Sequence, residues 1–177
     1  MRKALYLMGI LNDSDVQWIA DHAVKSVVPA GAVLIEQGVA IGHLYILLDG
    51  RVSVQLANGV EVAVLMTGEI VGEISFVDSR PPLASAVAQV PSLVLAIEKA
   101  VLQRKLDADG QFGSRFYKAL ALFLADRLRS TTGRLGYAVA GGNEDAAEDD
   151  PDELGSDFME SISMANVRFD MLVRSVK

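Results

Sequence analysis

The residues able to do covalent or acid–base chemistry are few in this chain, and their spacing does not suit it. There is no cysteine, which removes thiolate nucleophiles, thiolate metal sites and disulfides together. His22 and His43 are the only histidines. They lie far apart, neither belongs to a His-x-His pattern, and a metal-dependent jelly-roll enzyme needs clustered His and carboxylate ligands. No Gly-x-Ser-x-Gly turn, no phosphate-cradling Gly-Lys-Ser/Thr loop and no Ser/His/Asp set occurs. The acids of the central region are scattered, with no pair set for acid–base work. The reading is therefore non-enzymatic, with no resident metal and no obligatory cofactor. What remains is binding chemistry, and its character depends on the elements that would position it.

Composition bounds those elements. A chain of 177 residues, 51% hydrophobic and 22% charged, is expected to form one packed domain with appendages. The net charge of −7 opposes broad contact with phosphate backbones, since nucleic-acid affinity comes mainly from clustered Lys and Arg. No nucleic-acid partner is expected. The opening Met1–Gly9 has a basic pair and an apolar run too short for a signal peptide. No run approaches the length of a membrane span. A cytoplasmic protein without membrane insertion is the expectation, and the lack of cysteines fits a reducing compartment.

Along the chain, Val16, Ile19, Ala20 and Ala23 recur at helical spacing, so a helix is predicted from about Asp13 to Ser26, capped by Asp13 or Ser14. From Gly31 to about Ile97 the pattern becomes short apolar runs, such as Leu44–Leu48, Val52–Leu56 and Val60–Leu65, broken at Gly38, Gly42, Asp49-Gly50, Asn58-Gly59, Gly68 and Gly72. Asp-Gly and Asn-Gly suit tight turns because they tolerate positive φ. Short, evenly spaced strands imply a β-sandwich, roll or small barrel. A short helix then starts at Ala100 and stops near Asp109-Gly110. A longer one, from about Phe112 to Ser130, carries Phe116, Leu120, Phe123 and Leu128 on one side. From Glu144 to Asp157 there are many acids and no base, the composition of a solvated tether. Asp157 with Glu160 then forms a capping box. After it Phe158, Ile162, Ala165, Phe169, Leu172 and Val176 make a narrow apolar seam. The expected division is a domain over 1–137, an acidic linker over 138–156 and an amphipathic docking helix over 157–177.

Three separated segments make the roll specific. Val28–Gly38, Leu44–Val52 and above all Gly68-Glu69-Ile70-Val71-Gly72-Glu73-Ile74-Ser75-Phe76-Val77-Asp78-Ser79-Arg80-Pro81-Pro82 resemble, in order and spacing, the cyclic-nucleotide-binding family, the last being its phosphate-binding cassette. The resemblance covers about residues 10 to 132. It implies an α+β fold: a cyclic-nucleotide-binding β-roll (a jelly roll) flanked by an N-terminal helix and a long C-terminal helix. It also implies a ligand, cyclic AMP or cyclic GMP. In such a cassette a short helix offers backbone N–H groups to an anion, a glutamate accepts from the ribose hydroxyl, and an arginine pairs with the phosphate. Carried over, the ligand-binding set is Gly72, Glu73, Ile74, Ser75, Arg80, Ala84 and Ser85, with Glu73 on the ribose and Gly72 allowing close approach. The opening Met1–Asp15, the segment Ser114–Arg129 and Gly133–Tyr137 are further similar to bacterial cyclic-nucleotide-binding proteins described as bacteriocin-type transport-associated. This likeness implies a place beside a peptide export or injection machine.

The chain departs from the cassette where it matters. Pro82-Leu83-Ala84 stands where the family places Arg-Ser-Ala or Arg-Thr-Ala. Losing a charge-assisted contact to phosphate costs about 1.5–3 kcal/mol, roughly tenfold to a hundredfold in affinity. Pro82 removes a donor, and Leu83 is expected to face the phosphate with an apolar side chain. Arg80, Ser85 and the Ala84 amide are the available substitutes. Two functions stay open: a weak cyclic-nucleotide sensor acting through protein partners, or a scaffold with a retired pocket. The long helix is read as a homodimer or larger-assembly seam. Residues 157–177 are read as docking either on a protein partner or on their own domain.

Overall fold

A computed structural model describes residues 4–140 and 156–175. Two helices open the chain, α1 (Ala4–Ile10) and α2 (Asp13–His22). Strands β1 (Ala23–Val28), β2 (Val33–Ile35), β3 (His43–Asp49), β4 (Arg51–Gln55), β5 (Glu61–Met66) and β6 (Ile70–Val71) follow. A short helix α3 (Glu73–Val77) interrupts the strands before β7 (Ser85–Ala88) and β8 (Ser92–Glu98). The chain closes with α4 (Lys99–Ala108), α5 (Gly110–Ala140) and α6 (Ser156–Ser175). The strands form two antiparallel four-stranded sheets, ordered β1-β8-β3-β6 and β2-β7-β4-β5. This is the expected α+β roll.

The uninterrupted apolar run of β3 is explained by its surroundings. Leu44, Ile46 and Leu48 belong to the cluster shared with the helices, whereas Leu47 belongs to the cluster between the two sheets. The first sheet is thus covered on both faces, so both phases of the strand's alternation are apolar. The second sheet is covered on one face only. Val62, Val64 and Met66 of its edge strand β5 lie exposed.

Several expectations are corrected. The first helix stops at His22 rather than Ser26, because residues from Ala23 onward pair with β8 in unbroken antiparallel register, Ala23 opposite Ile97 and Val28 opposite Ser92. The β-branched Val24, Val27 and Val28 suit that ladder better than a helix. The cap of α2 is Asn12, not Asp13 or Ser14. Asn12 Oδ1 accepts from the Asp15 N–H at 2.9 Å, and Asp15 Oδ2 accepts from the Asn12 N–H at 3.0 Å, a reciprocal box. The opening apolar run is helix α1, with Leu7 and Met8 buried. Helix α5 begins at Gly110, with Asp109 Oδ1 accepting from Phe112 N–H at 2.9 Å. It runs to Ala140, so residues 138–140, expected in the linker, are helical. The acidic segment 141–155 lies outside the described residues.

Helix α6 packs on its own domain. Ala165 and Leu172 are fully buried, and Phe169 and Val173 pack on the same cluster as Leu7, Met8 and Leu11. Arg168 Nε donates to Asp13 Oδ1 at 2.6 Å, and its Nη1 donates to the Met8 carbonyl at 3.1 Å. Of the two readings of the tail, this contact is the one made within the chain. The expected capping box at Asp157 and the seam positions Phe158, Ile162 and Val176 lie outside the described side chains.

Candidate ligand-binding site

The cassette sits where the first sheet meets the helices. β6 delivers the chain to Gly72, which caps α3 in the left-handed region at φ 96°, a conformation glycine adopts without steric cost. Space is also short there: a Cβ at Gly72 would lie 2.7 Å from Ile41 Cδ1 and 3.3 Å from Ile35 Cδ1. The space over Gly72, where the resemblance implies close approach of a ligand, is bounded by these aliphatic side chains. Among the other expected residues, Glu73 and Ser75 are buried, Ile74 is exposed, Ala84 and Ser85 are half-buried, and Arg80 is exposed.

Glu73 is 2% exposed and does not stand alone. Arg127 of the long helix α5 donates through Nη1 to Glu73 Oε1 in a short ion pair, and its Nη2 donates to the Ile70 carbonyl at 3.4 Å. The guanidinium also lies over the Phe123 ring, 4.6 Å from its centroid. Burial pushes the Glu73 carboxyl above the usual carboxylate range, against the opposing pull of Arg127 and of the backbone N–H groups of Glu73 and Gly72. The carboxylate is dry and already partnered.

Lys99, at the start of α4, donates through Nζ to the Ser75 carbonyl at 2.6 Å and lies 5.9 Å from the Phe76 ring centroid. Desolvation lowers its pKa, with Asp78 opposing. Phe76 in turn meets Phe116 of α5 edge-on at 6.0 Å. Helix α3 is therefore fixed at both ends by α4 and α5.

The far end of the cassette is a turn. Ser79 takes a positive φ of 58°, and the Arg80 N–H donates to Asp78 Oδ1 at 3.0 Å. The Arg80 side chain makes no ion pair among the described residues. Leu83, expected to face the phosphate, is instead 82% exposed. Ser85 Oγ accepts from the Gln37 N–H at 3.0 Å, which leaves its own O–H to donate elsewhere. Gln37 Oε1 is buried without a hydrogen-bond partner among the described residues. A cavity of about 310 Å³ opens beside the site, lined by Ile35, Glu36, Ile41, Gly42 and Tyr45 among others. It touches none of Glu73, Arg80 or Ser85. Among the described residues, no cluster of His, Asp and Glu could hold a metal ion.

Residues 25–109 match the family model of the cyclic nucleotide-binding domain. That stretch carries the cyclic-nucleotide-binding β-roll. Similar solved structures share the fold. A cyclic nucleotide-binding domain from Methylobacillus flagellatus KT superposes with a TM-score of 0.69 at 21% identity, covering 81% of this chain and 85% of that one. The Thermus thermophilus catabolite activator protein gives 0.62 at 22%, covering 96% and 87%. The regulatory subunit of a cAMP-independent protein kinase A from Trypanosoma brucei gives 0.51 at 23%, covering 57% of this chain and 41% of that one. No curated protein sequence matches the chain.

Within this roll, the structure gathers Gly72, Glu73 and Ser75 under the long helix and leaves Arg80 and Leu83 in solvent. The residues that sequence reasoning missed are Arg127, Lys99 and Ile41. Arg127 sits in the run Asp126-Arg127-Leu128-Arg129, which reads as a solvated face. Its one distinguishing signal is its place four residues after Phe123, a core position.

Proposed function

We propose that this domain is a non-enzymatic regulatory module that acts through protein partners and takes a cyclic nucleotide only weakly. The observation that supports it most is the Arg127–Glu73 ion pair. A ribose hydroxyl reaching Glu73 must compete with a guanidinium already seated there. The residue offered to the phosphate, Arg80, lies exposed, where solvent screens its charge. The two polar contacts that give the fold its affinity are both compromised, each by about tenfold to a hundredfold. The competition has a second consequence. A ligand that binds Glu73 must shift Arg127, so binding and the pose of α5 are linked through differential affinity.

The partner of α5 in this proposal is a second copy of the chain. Tyr117, Ala121 and Leu128 are exposed along its flank and Leu124 is half-buried, at alternating steps of four and three. The likeness to bacteriocin-type transport-associated proteins supports a place beside a peptide export or injection system, in the cytoplasm.

A second reading, a protein-binding scaffold without nucleotide, is favoured by Ile41 and Ile35 filling the space over Gly72. Calorimetric titration with cyclic AMP and cyclic GMP into the millimolar range separates the two. Saturable binding in the high micromolar range or above supports the sensor, and its loss in Arg80→Ala assigns Arg80 to the phosphate. Silence with folded protein establishes the scaffold, and nanomolar binding refutes both.

A further inference from the structure

Helix α6 lies in a groove that is built without it. Leu7, Met8 and Leu11 form its apolar floor together with Phe112 and Phe116 of α5. Two polar fixtures complete it. At the corner between α1 and α2 the Met8 carbonyl loses its helical donor, because the Asn12 N–H that would continue α1 donates to Asp15 Oδ2. Arg168 donates to that carbonyl through Nη1 at 3.1 Å and to Asp13 Oδ1 through Nε at 2.6 Å. Lys25, fixed in β1 opposite Leu95, donates through Nζ to the Val173 carbonyl at 3.3 Å, in the last turn of α6 where carbonyls lack helical partners. The first fixture sets the register of a helix in the groove and the second its direction.

We propose that this groove is a recognition site for an amphipathic helix of a partner protein, and that α6 is the in-chain ligand that keeps it closed. The inference gives a surface to the partner-directed reading above and rests on that reading for its purpose, not for its geometry. Helix α6 shows what the groove selects. Arg168, Phe169, Leu172 and Val173 follow Ala165 by three, four, seven and eight residues, an amphipathic stripe with a guanidinium in its middle. The hold on α6 is limited. Among its described side chains only Ala165 and Leu172 are fully buried, and the Asp13 carboxylate that receives Arg168 is 68% exposed, where solvent screens the pair. A second copy is a poor competitor. Its α6 is identical, whereas the resident helix is joined to α5 through residues 141–155, which gives it an effective concentration of the order of millimolar. A partner helix that keeps the arginine and adds apolar contact displaces α6 by differential affinity.

A labelled peptide of residues 156–177, titrated with the full chain and followed by fluorescence anisotropy, tests this. The wild type binds it weakly, its own α6 being in place. Arg168→Glu sets like charges together at Asp13 and leaves the receiving side intact, so it tightens peptide binding about tenfold. Phe169→Ser in the chain loosens α6 by a second route and shifts binding in the same direction. Adding Asp13→Ala to Arg168→Glu removes most of the gain, because the peptide's arginine then lacks its carboxylate. If neither opening variant binds the peptide better than the wild type, or the gain survives Asp13→Ala undiminished, the groove does not select this helix and the inference fails. If the wild type self-associates and excess peptide disperses it, a second copy fills the groove and the assignment to a partner fails. None of these outcomes bears on cyclic-nucleotide binding, so the reading above stands or falls on its own titration.

Discussion

Arg127→Met removes the guanidinium while keeping a side chain over Phe123. It leaves the Glu73 carboxylate, 3% exposed, with backbone partners alone. Breaking a buried pair from one side costs about 3–5 kcal/mol when both partners are fully enclosed. The Arg127 side chain is 23% exposed, so water reaches the vacated position and a loss of about 2–3 kcal/mol is expected. For a domain of this size that lowers the melting temperature by roughly 5–10 °C. The deficit depends on pH in a fixed direction. Burial already holds the Glu73 carboxyl above its ordinary range, and loss of the cation raises it further. A carboxyl whose folded value exceeds its unfolded one contributes stability below the unfolded value and loses it as pH rises through the folded value. The Met variant is therefore weakest at neutral pH, and its deficit shrinks as pH falls below neutrality towards the ordinary carboxylate range. Thermal melts of wild type, Arg127→Met, Glu73→Gln and the double variant across that range read this out. Adding Glu73→Gln to Arg127→Met recovers most of the loss, since no buried charge is then left unpaired. A neutral-pH melting temperature equal to the wild type's, or a deficit that does not change with pH, refutes the pairing.

Gly72→Ala is expected to cost about 1–3 kcal/mol in chemical denaturation, because it combines positive φ with a 2.7 Å clash on Ile41; the Ile41→Ala background relieves the steric part only. Asp15→Asn removes the charge that meets Arg115 at 2.6 and 2.9 Å and disturbs the Asn12 box, so urea unfolding should show a loss of about 1.5–3 kcal/mol. Deleting residues 156–177 uncovers Leu7, Met8 and Leu11. Truncated protein should melt lower and bind 1-anilinonaphthalene-8-sulfonate, and an unchanged melting temperature would show that α6 contributes nothing to its own domain.

The roll was legible in the sequence because its glycines mark turns and its strands alternate around two separate cores. Leu44–Leu48 and Val52–Leu56 could be placed without knowing their neighbours. The end of α2 could not. Ala20 and Ala23 continue a helical spacing, and the pairing that overrides it comes from β8, some seventy residues along the chain. The cassette was legible as a local string, so Gly72, Glu73 and Ser75 could be placed together around the start of one short helix. Its occupant was not, because Arg127 lies 54 residues from Glu73 in a stretch where charge usually means solvent. Leu83 was misjudged for a related reason. Its neighbour Pro82 turns the chain, with the Pro82 carbonyl accepting from Gly38 N–H at 2.9 Å, and Leu83 faces outward.

The N-terminal turn of α2 receives arginines from two distant helices, Arg115 on Asp15 and Arg168 on Asp13. This has a consequence for how the chain emerges from the ribosome. Leu7, Met8, Leu11 and Val16 are buried with Phe112, Phe116, Ala165 and Leu172, which are synthesised well after them. At about 5–20 residues per second, the leading helices wait roughly 10–30 s for their cover. Folding of the helical layer is thereby deferred until α6 has been made. Helices α1 and α2, with their apolar faces uncovered in that interval, are where a chaperone has the longest access.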